Sequence, residues 1–251
     1  EEQQDIISRF TIVFNQAYIR FLDLQKAEAQ AKEAAIELGL ERVRARTMAM
    51  QHSDELAELV AVVFNELTHL DFHITSSIIW INNPESLTNT LWVTSAEMNQ
   101  PARPIHLAPF QHPFFHSIIH AWKVKDPKWI YLLSGKEKSS FEKSFFKGAP
   151  GLPKALKSAL TVPEKVVFSA TFNNFGALEL IGTEPLTDEK FDILHRFGKV
   201  FDSSYTRFND LKRAEAQAKE AQIEAAMERV RSRTMGMQKS VELKEVIRVV
   251  Y

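Results

Sequence analysis

The segment VVFSATFNNFGALELIG, residues 166–182, is the stretch that most directly indicates the fold. Its two halves are runs of β-branched and apolar residues, and the Asn-Asn-Phe sequence at 173–175 between them is typical of a tight turn. The segment therefore predicts a β-hairpin. A few residues later, Thr187 predicts the N-cap of a helix whose acidic first turn begins at Asp188.

The rest of the central region predicts an α+β fold. ITSSIIWIN at 74–82 and TNTLWVTS at 88–95 predict a second hairpin, turning at Asn83-Pro84. Helices are predicted at 54–69 with Ser53 as its cap, and at 112–124, 138–147 and 152–160. Together these elements predict an antiparallel sheet of five or six strands, with helices from both ends of the domain packed on one face.

A long internal repeat flanks this region. Residues 9–64 and 196–251 align without a gap, and 34 of their 56 positions are identical. A repeat at this spacing is about one domain in size, so we expect a piece of a tandem array.

The repeat divides the chain into four predicted parts. They are a long helix at 1–46, an α+β domain at 47–195, a second long helix at 196–236 that repeats 9–49, and the start of a following domain at 237–251.

Each repeat copy carries apolar positions at alternating steps of three and four, the spacing of a heptad seam. The positions are Phe10, Phe14, Ala17, Phe21, Leu24, Ala31 and Leu38 in the first copy and Phe197, Phe201, Ser204, Phe208, Leu211, Ala218 and Ala225 in the second. We expect the aromatic first half of each helix to cover its own domain. The alanine-rich second half, which has no evident core to cover, is predicted to form a parallel homodimeric coiled coil through 27–46 and 214–233, with a solitary charged helix as the alternative.

The element ERVRARTM at 41–48, repeated as ERVRSRTM at 228–235, places three arginines on alternate positions. These could bind phosphate or an acidic surface. We favour a solvated helix face on which they pair with Glu37 and Glu41.

Composition excludes several classes of function. A net charge of -1, from 31 basic and 32 acidic residues, gives no field to attract nucleic acid. The absence of cysteine excludes disulfides, thiolate metal sites and thiol nucleophiles. No apolar run approaches the ~20 residues that span a bilayer, and we expect a cytoplasmic protein. No P-loop, GxSxG elbow or histidine-kinase core is present, so we expect no enzymatic activity in this chain.

The sequence resembles the GAF domain family over about residues 47–211. The resemblance rests on SDELAELVAVVFNELTHL at 53–70, the first hairpin, and FGALELIGTEPLTDEKFDILHRFGKVF at 175–201. The ERVRARTM linker is similar to those that join GAF domains to histidine kinases in bacterial two-component proteins. The resemblance implies small-molecule or partner sensing, dimerisation through the flanking helices and transmission to an output domain in cis. The cyclic-nucleotide pattern Asn-Lys-Xaa-Phe-Asp-Glu and the cysteine of bilin-binding members are both absent.

The candidate ligand-pocket residues are large aromatic and histidine side chains expected on the sheet-facing side of the central helix. They are Trp80, Trp92, His106, His112, His116 and Trp122. Tryptophans at such positions are also typical of a plain core. His112, His116 and His120 recur every four residues, so an adjacent pair could share a metal, but we predict a polar lining without metal or cofactor.

We therefore predict a non-enzymatic sensory or relay module that couples binding of a ligand or partner to helix packing. Two alternatives stay open at this point: a structural spacer or dimerisation module without a ligand, and a metal-dependent enzyme that uses the His112/His116/His120 face.

Overall fold

The computed structural model describes residues 2–52, 55–82, 88–95 and 102–236, with side chains from residue 9 onward. The predicted cap Ser53, the turn at Asn83-Pro84 and the segment 237–251 lie outside the described residues.

Six antiparallel strands form one sheet in the order β3-β2-β1-β6-β5-β4. The strands are β1 Ser76–Asn82, β2 Asn89–Ser95, β3 Pro104–Leu107, β4 Trp129–Ser134, β5 Lys165–Phe172 and β6 Gly176–Gly182. The sheet and its helices confirm the predicted α+β class. The edge strands β3 and β4 were not individually predicted.

Both predicted hairpins are present. β1 pairs with β2 from Ser76↔Ser95 to Asn82↔Asn89, and β5 pairs with β6 up to Phe172↔Ala177. β1 also pairs with β6, which joins the two hairpins at the centre of the sheet. At Gly176 the two chains approach so closely that a Cβ atom would lie 1.9 Å from the carbonyl oxygen of Trp80, so only glycine fits there.

Within the described ranges, six helices accompany the sheet. They are α1 Glu2–Ala49, α2 Leu56–His69, α3 Pro113–Val124, α4 Gly135–Gly148, α5 Lys154–Thr161 and α6 Asp188–Gly236. The hydroxyl of Thr187 accepts a hydrogen bond of 3.4 Å from the backbone N–H of Lys190, which confirms the predicted N-cap of α6. At 1.5 Å per residue, the 49 residues of α6 extend roughly 70 Å. None of the helices that the structure describes is long and apolar enough to span a membrane.

The helices cover both faces of the sheet. α1, α2 and α6 pack on the face that carries Ile79, Trp92 and Leu178, as predicted for helices from the two ends of the domain. The middle helices α3, α4 and α5 cover the other face, around Ile78 and Phe168. The prediction of helices on one face was therefore incomplete, because both faces of the central strands are apolar and each must be removed from water.

The two repeat copies bury opposite halves of their helices. In α6 the aromatic half covers the domain, and Phe197 and Phe201 are fully buried. In α1 the identical residues Phe10 and Phe14 are 73% and 68% exposed. The expectation that each aromatic half covers its own domain is met by the second copy, whereas the aromatic half of the first copy does not pack on the domain that the structure describes.

The second half of α1, by contrast, does cover the core. Ile36, Leu40 and Val43 are buried against α2 and α6, whereas Leu38 on the predicted seam is 53% exposed. The prediction that this half lacks a core was thus wrong from Ile36 onward. The reason is that the domain packs between the end of α1 and the start of α6.

The arginines at 41–48 pair differently from one another. Arg44 lies 3.3 Å from Glu41 and 3.8 Å from Glu37, as predicted for a solvated face. Arg42 instead bonds Glu66 on α2 at 3.2 Å, and Arg46 bonds Glu55 at 2.8 Å. These two contacts fix α1 to α2 where the long helix ends.

Candidate ligand-binding cleft

A cleft with a volume of about 420 Å³ opens between α3 and the adjoining ends of β1 and β2. This is within the range of roughly 300–1,000 Å³ found for small-molecule sites. Its wall is mainly apolar with several polar groups: Asn82, Asn89, Pro109, Phe110, Gln111, Phe115, His116, Ile119, His120, Trp122 and Lys123.

α3 provides one side of the cleft, and its start explains which histidines reach it. His112 is the N-cap, and its Nδ1 accepts a hydrogen bond of 3.1 Å from the backbone N–H of Phe114. That bond turns the His112 ring into the core, where it is 4% exposed, while His116 and His120 line the cleft one helical turn apart. The three histidines therefore do not share one face, contrary to the prediction.

A pair of asparagines closes the sheet side of the cleft. Asn82 and Asn89 are directly opposite in the β1–β2 register, and both line the cleft. The Oδ1 of Asn82 and the Nδ2 of Asn89 are buried and have no hydrogen-bond partner among the described residues. A buried amide without a partner costs free energy, so this acceptor and donor are suited to a polar ligand.

Trp122 links the cleft to the turn between β5 and β6. Its indole N–H donates a hydrogen bond of 3.1 Å to the carbonyl oxygen of Asn173, and the amine of Lys125 donates to the same oxygen. Burial lowers the pKa of Lys125, an effect partly offset by the carboxylate of Asp202 on α6. The wall of the cleft is thus joined to the turn that precedes β6.

Glu179, in the middle of β6, is a charged residue type fully buried in the core. Its register partners are Ile78 and Ala170, so its side chain points to the same side of the sheet as Trp80, towards α3–α5. Burial raises the pKa of the Glu179 carboxyl to about 8, and the nearby Trp80 indole partly offsets the rise. Neither carboxyl oxygen has a hydrogen-bond partner in the described part of the chain. Glu179 is therefore largely a neutral acid at pH 7, beneath the cleft but not lining it.

The structure brings together only part of the predicted site. His116 and Trp122 line the cleft, and Trp80 is buried under it with its ring 6.4 Å from that of Phe114. The other three candidates lie elsewhere: Trp92 packs on the opposite face with α2, His106 is exposed on β3 beside Thr90, and His112 caps α3.

Sequence reasoning missed Asn82, Asn89 and Glu179. The asparagines gave no signal, because their significance depends on the β1–β2 register. Glu179 could have been recognised from the sequence, because a carboxylate inside the apolar run ALELI at 177–181 is unusual for a buried strand.

Across the residues that the structure describes, no group of three or more histidines and carboxylates is arranged to hold a metal ion. His116 and His120 have no third ligand of that kind beside them.

Comparison with known proteins yields similar folds only. No family model and no curated protein matches the chain. A solved structure similar to it is the GAF domain from Acinetobacter phosphoenolpyruvate-protein phosphotransferase, with 9% identity, a TM-score of 0.44, and coverage of 69% of this chain and 93% of that chain. The phycoerythrobilin-bound GAF domain from a cyanobacterial phytochrome matches with 12% identity, a TM-score of 0.38, and coverage of 68% and 96%. A segment of a methyl-accepting chemotaxis protein matches with 14% identity, a TM-score of 0.39, and coverage of 68% and 98%.

Proposed function

We propose that this chain is a non-enzymatic sensory and relay module of the GAF type from a bacterial signalling protein, in which a small molecule in the cleft changes the packing of α6 against α1. A two-component protein with its output domain in cis is the setting that the linker sequence favours. The observation that carries the proposal is the turn at 173–175, which contacts the cleft wall on one side and α6 on the other.

The turn at 173–175 forms hydrogen bonds with both the cleft wall and α6. Asn173 accepts from Trp122 of the cleft wall at 3.1 Å. The next residue, Asn174, donates two hydrogen bonds to Asp202 on α6, at 3.0 and 2.6 Å. Phe175 places its ring 4.6 Å from that of Tyr205, also on α6. A ligand that moves Trp122 would therefore displace the turn and, with it, the part of α6 around Asp202 and Tyr205.

α6 in turn contacts α1 at several points. The hydroxyls of Ser204 and Thr47 are 2.5 Å apart, and Arg196 bonds Glu33 at 2.8 Å and Glu37 at 2.5 Å. Interfaces of this kind have discrete packing arrangements, so a small local displacement can shift the equilibrium between two helix positions.

The lining of the cleft favours a small aromatic or heterocyclic ligand. Phe110, Phe115 and Ile119 give apolar contact, while the amides of Asn82 and Asn89 offer one acceptor and one donor. A flat ring with a matching donor and acceptor would satisfy both amides and be stacked by the aromatic wall.

Thermal-shift screening with aromatic heterocycles tests binding, because a ligand specific for the native state raises the melting temperature. We expect Ile119→Trp, which fills the cleft, to abolish the shift. The matched control is Val162→Trp, which adds the same side chain at an exposed position outside the cleft and should retain it. A shift that persists in Ile119→Trp, or the absence of any shift in the wild type, would contradict the proposal.

A distance measurement tests the relay. The chain has no cysteine, so spin labels can be placed specifically at exposed Lys26 on α1 and Arg207 on α6. We expect the ligand to change the label-to-label distance in the wild type but not in Asn174→Ala, where the bonds to Asp202 are weakened. An unchanged distance in ligand-saturated wild-type protein would leave the domain as a ligand-binding spacer.

A further inference from the structure

Two halves of the repeated helices present apolar side chains to solvent. On α1 these are Phe10, Ile12, Val13, Phe14, Tyr18, Ile19, Phe21, Leu22 and Leu24, which we call the α1 free half. On α6 they are Ile223 and Met227, 42% and 57% exposed, which with the half-buried Val230 we call the α6 free half. Exposed apolar area of this extent on a helix indicates an interaction surface.

The chain already contains a pairing of the other two halves. α1 and α6 run parallel, since Lys32 bonds Glu189 near one end of the contact and His52 lies 3.7 Å from Glu215 at the other. Within that contact, the α1 stripe Ile36, Leu40 and Val43 packs in one cluster with the α6 stripe Phe197, Phe201 and Phe208. The spacing of both stripes is that of a parallel coiled coil.

The free halves repeat the residues of this pair. The repeat relates each docked stripe to a stripe on a free half. The positions of Ile36, Leu40 and Val43 correspond to Ile223, Met227 and Val230 on α6. The positions of Phe197, Phe201 and Phe208 correspond to Phe10, Phe14 and Phe21 on α1. The charged residues of the contact repeat as well. Arg196 forms ion pairs with Glu33 and Glu37, and these three residues correspond to Arg9, Glu220 and Glu224, which are exposed.

The α1 free half also has the side-chain arrangement of its docked counterpart. Phe14 and Tyr18 stack at 6.2 Å and Tyr18 and Phe21 at 6.4 Å. In the docked half of α6, Phe201 and Tyr205 stack at 6.2 Å and Tyr205 and Phe208 at 5.2 Å. The free surface is therefore already ordered as the docked one is.

We propose that the α1 free half of one molecule pairs in parallel with the α6 free half of a second copy, in the register that places Arg9 against Glu220 and Glu224. Because the two surfaces differ, the contact is head-to-tail, and the resulting pair retains one free surface of each kind, the α6 free half of the first molecule and the α1 free half of the second. Association therefore continues beyond a dimer as concentration rises.

Charge favours this arrangement over a symmetric one. In a symmetric parallel pair each helix meets its own copy, so Arg9 on the α1 free half does not meet Glu220 and Glu224 on the α6 free half. The head-to-tail register pairs opposite charges, as the intramolecular contact does. One contact is not reproduced: Ser204, which bonds Thr47, corresponds to Ala17. Pairing between copies is therefore weaker than pairing within the chain.

Two single substitutions at exposed positions test the proposal by sedimentation velocity on the full chain. Phe14→Glu blocks the α1 free half, and Met227→Glu blocks the α6 free half. Wild-type protein is expected to form species larger than a dimer as concentration increases, and each variant alone to stay monomeric. An equal mixture is expected to stop at a 1:1 heterodimer, because only one competent surface of each kind remains.

Charge reversal tests the proposed pairing of Arg9 with Glu220 and Glu224. Arg9→Glu is expected to weaken association at least several-fold, and the triple variant Arg9→Glu, Glu220→Arg, Glu224→Arg to restore it. Circular dichroism and thermal melting, expected to match the wild type, verify folding of every variant.

Dimers formed by Met227→Glu alone would show symmetric pairing through α1, and dimers formed by Phe14→Glu alone would show symmetric pairing through α6. Either result overturns the proposal, as would a monomeric mixture or a wild-type chain that stays monomeric at high concentration. None of these outcomes bears on ligand binding in the cleft, so the sensory function and this assembly are tested separately.

Discussion

Asp202, in the first third of α6, accepts two hydrogen bonds from Asn174 in the β5–β6 turn. The backbone N–H lies 3.0 Å from Oδ1, and the side-chain amide lies 2.6 Å from Oδ2. Both carboxylate oxygens are thus used to hold one turn against the long helix. Through Asn173, which accepts from Trp122, this contact joins the cleft wall to α6.

Asp202→Ala is expected to lower the free energy of unfolding by about 1–2 kcal/mol, since it removes two hydrogen bonds to a charged acceptor at a partly exposed site. Urea denaturation measures this change. Asp210→Ala, at an exposed position on the same helix, is the matched control and should leave stability within about 0.5 kcal/mol of the wild type. Equal effects of the two substitutions would show that the Asn174 contact adds nothing to stability.

Glu179→Gln is expected to stabilise the protein at neutral and alkaline pH. The pKa of Glu179 is raised by burial from 4.5 to about 8, so between these values the native state holds a proton that the unfolded chain releases. The free energy of unfolding of the wild type therefore falls as pH rises across this window, by up to about 1.4 kcal/mol per pH unit.

Glutamine has no such proton, so the stability gap between Glu179→Gln and the wild type should be small below pH 4.5, widen up to about pH 8 and then level off. Thermal unfolding at intervals of one pH unit measures the gap. Glu164→Gln, at an exposed position before β5, is the control for a generic loss of charge. A pH-independent gap would contradict the burial of an unpaired carboxyl at position 179.

Gly198→Ala is expected to destabilise the protein although alanine is the better helix former. A Cβ atom at position 198 would lie 2.8 Å from Cγ2 of Thr171 on β5, and overpacking of this kind costs about 1–3 kcal/mol. The gain of about 1 kcal/mol in helix propensity offsets only part of that cost.

Thr171→Ser should relieve the clash, because it removes Cγ2 but keeps the hydroxyl that lies 3.0 Å from Nδ1 of His195. A double-mutant cycle by chemical denaturation is expected to show that alanine at 198 costs less in the serine background. Gly236→Ala, where a Cβ would meet nothing within 4 Å, is the control and should not destabilise. Strictly additive effects in the cycle would place the cause of any destabilisation elsewhere.

Some residues of the cleft could be predicted from the sequence, and others could not. The stretch HPFFHSIIHAWKV at 112–124 predicted a helix, and the candidates His116 and Trp122 on that helix, α3, line the cleft. Trp92 was misplaced because, in a strand buried on both faces, composition does not reveal which face a residue takes. His112 was misplaced because an N-cap side chain turns back to the helix end instead of following the helical period.

The sequence by itself determined the two hairpins, the capped start of α6 and the length of the repeated helices. These depend on turn residues, alternation and helix propensity within a few residues of each position. Tertiary structure alone decided which half of each repeated helix is buried. Phe10 and Phe197 are at matching positions of the repeat, in similar local sequences, yet one is 73% exposed and the other fully buried. The difference is that the sheet packs beside α6 and not beside the first half of α1, and burial depends on such neighbours from distant parts of the chain.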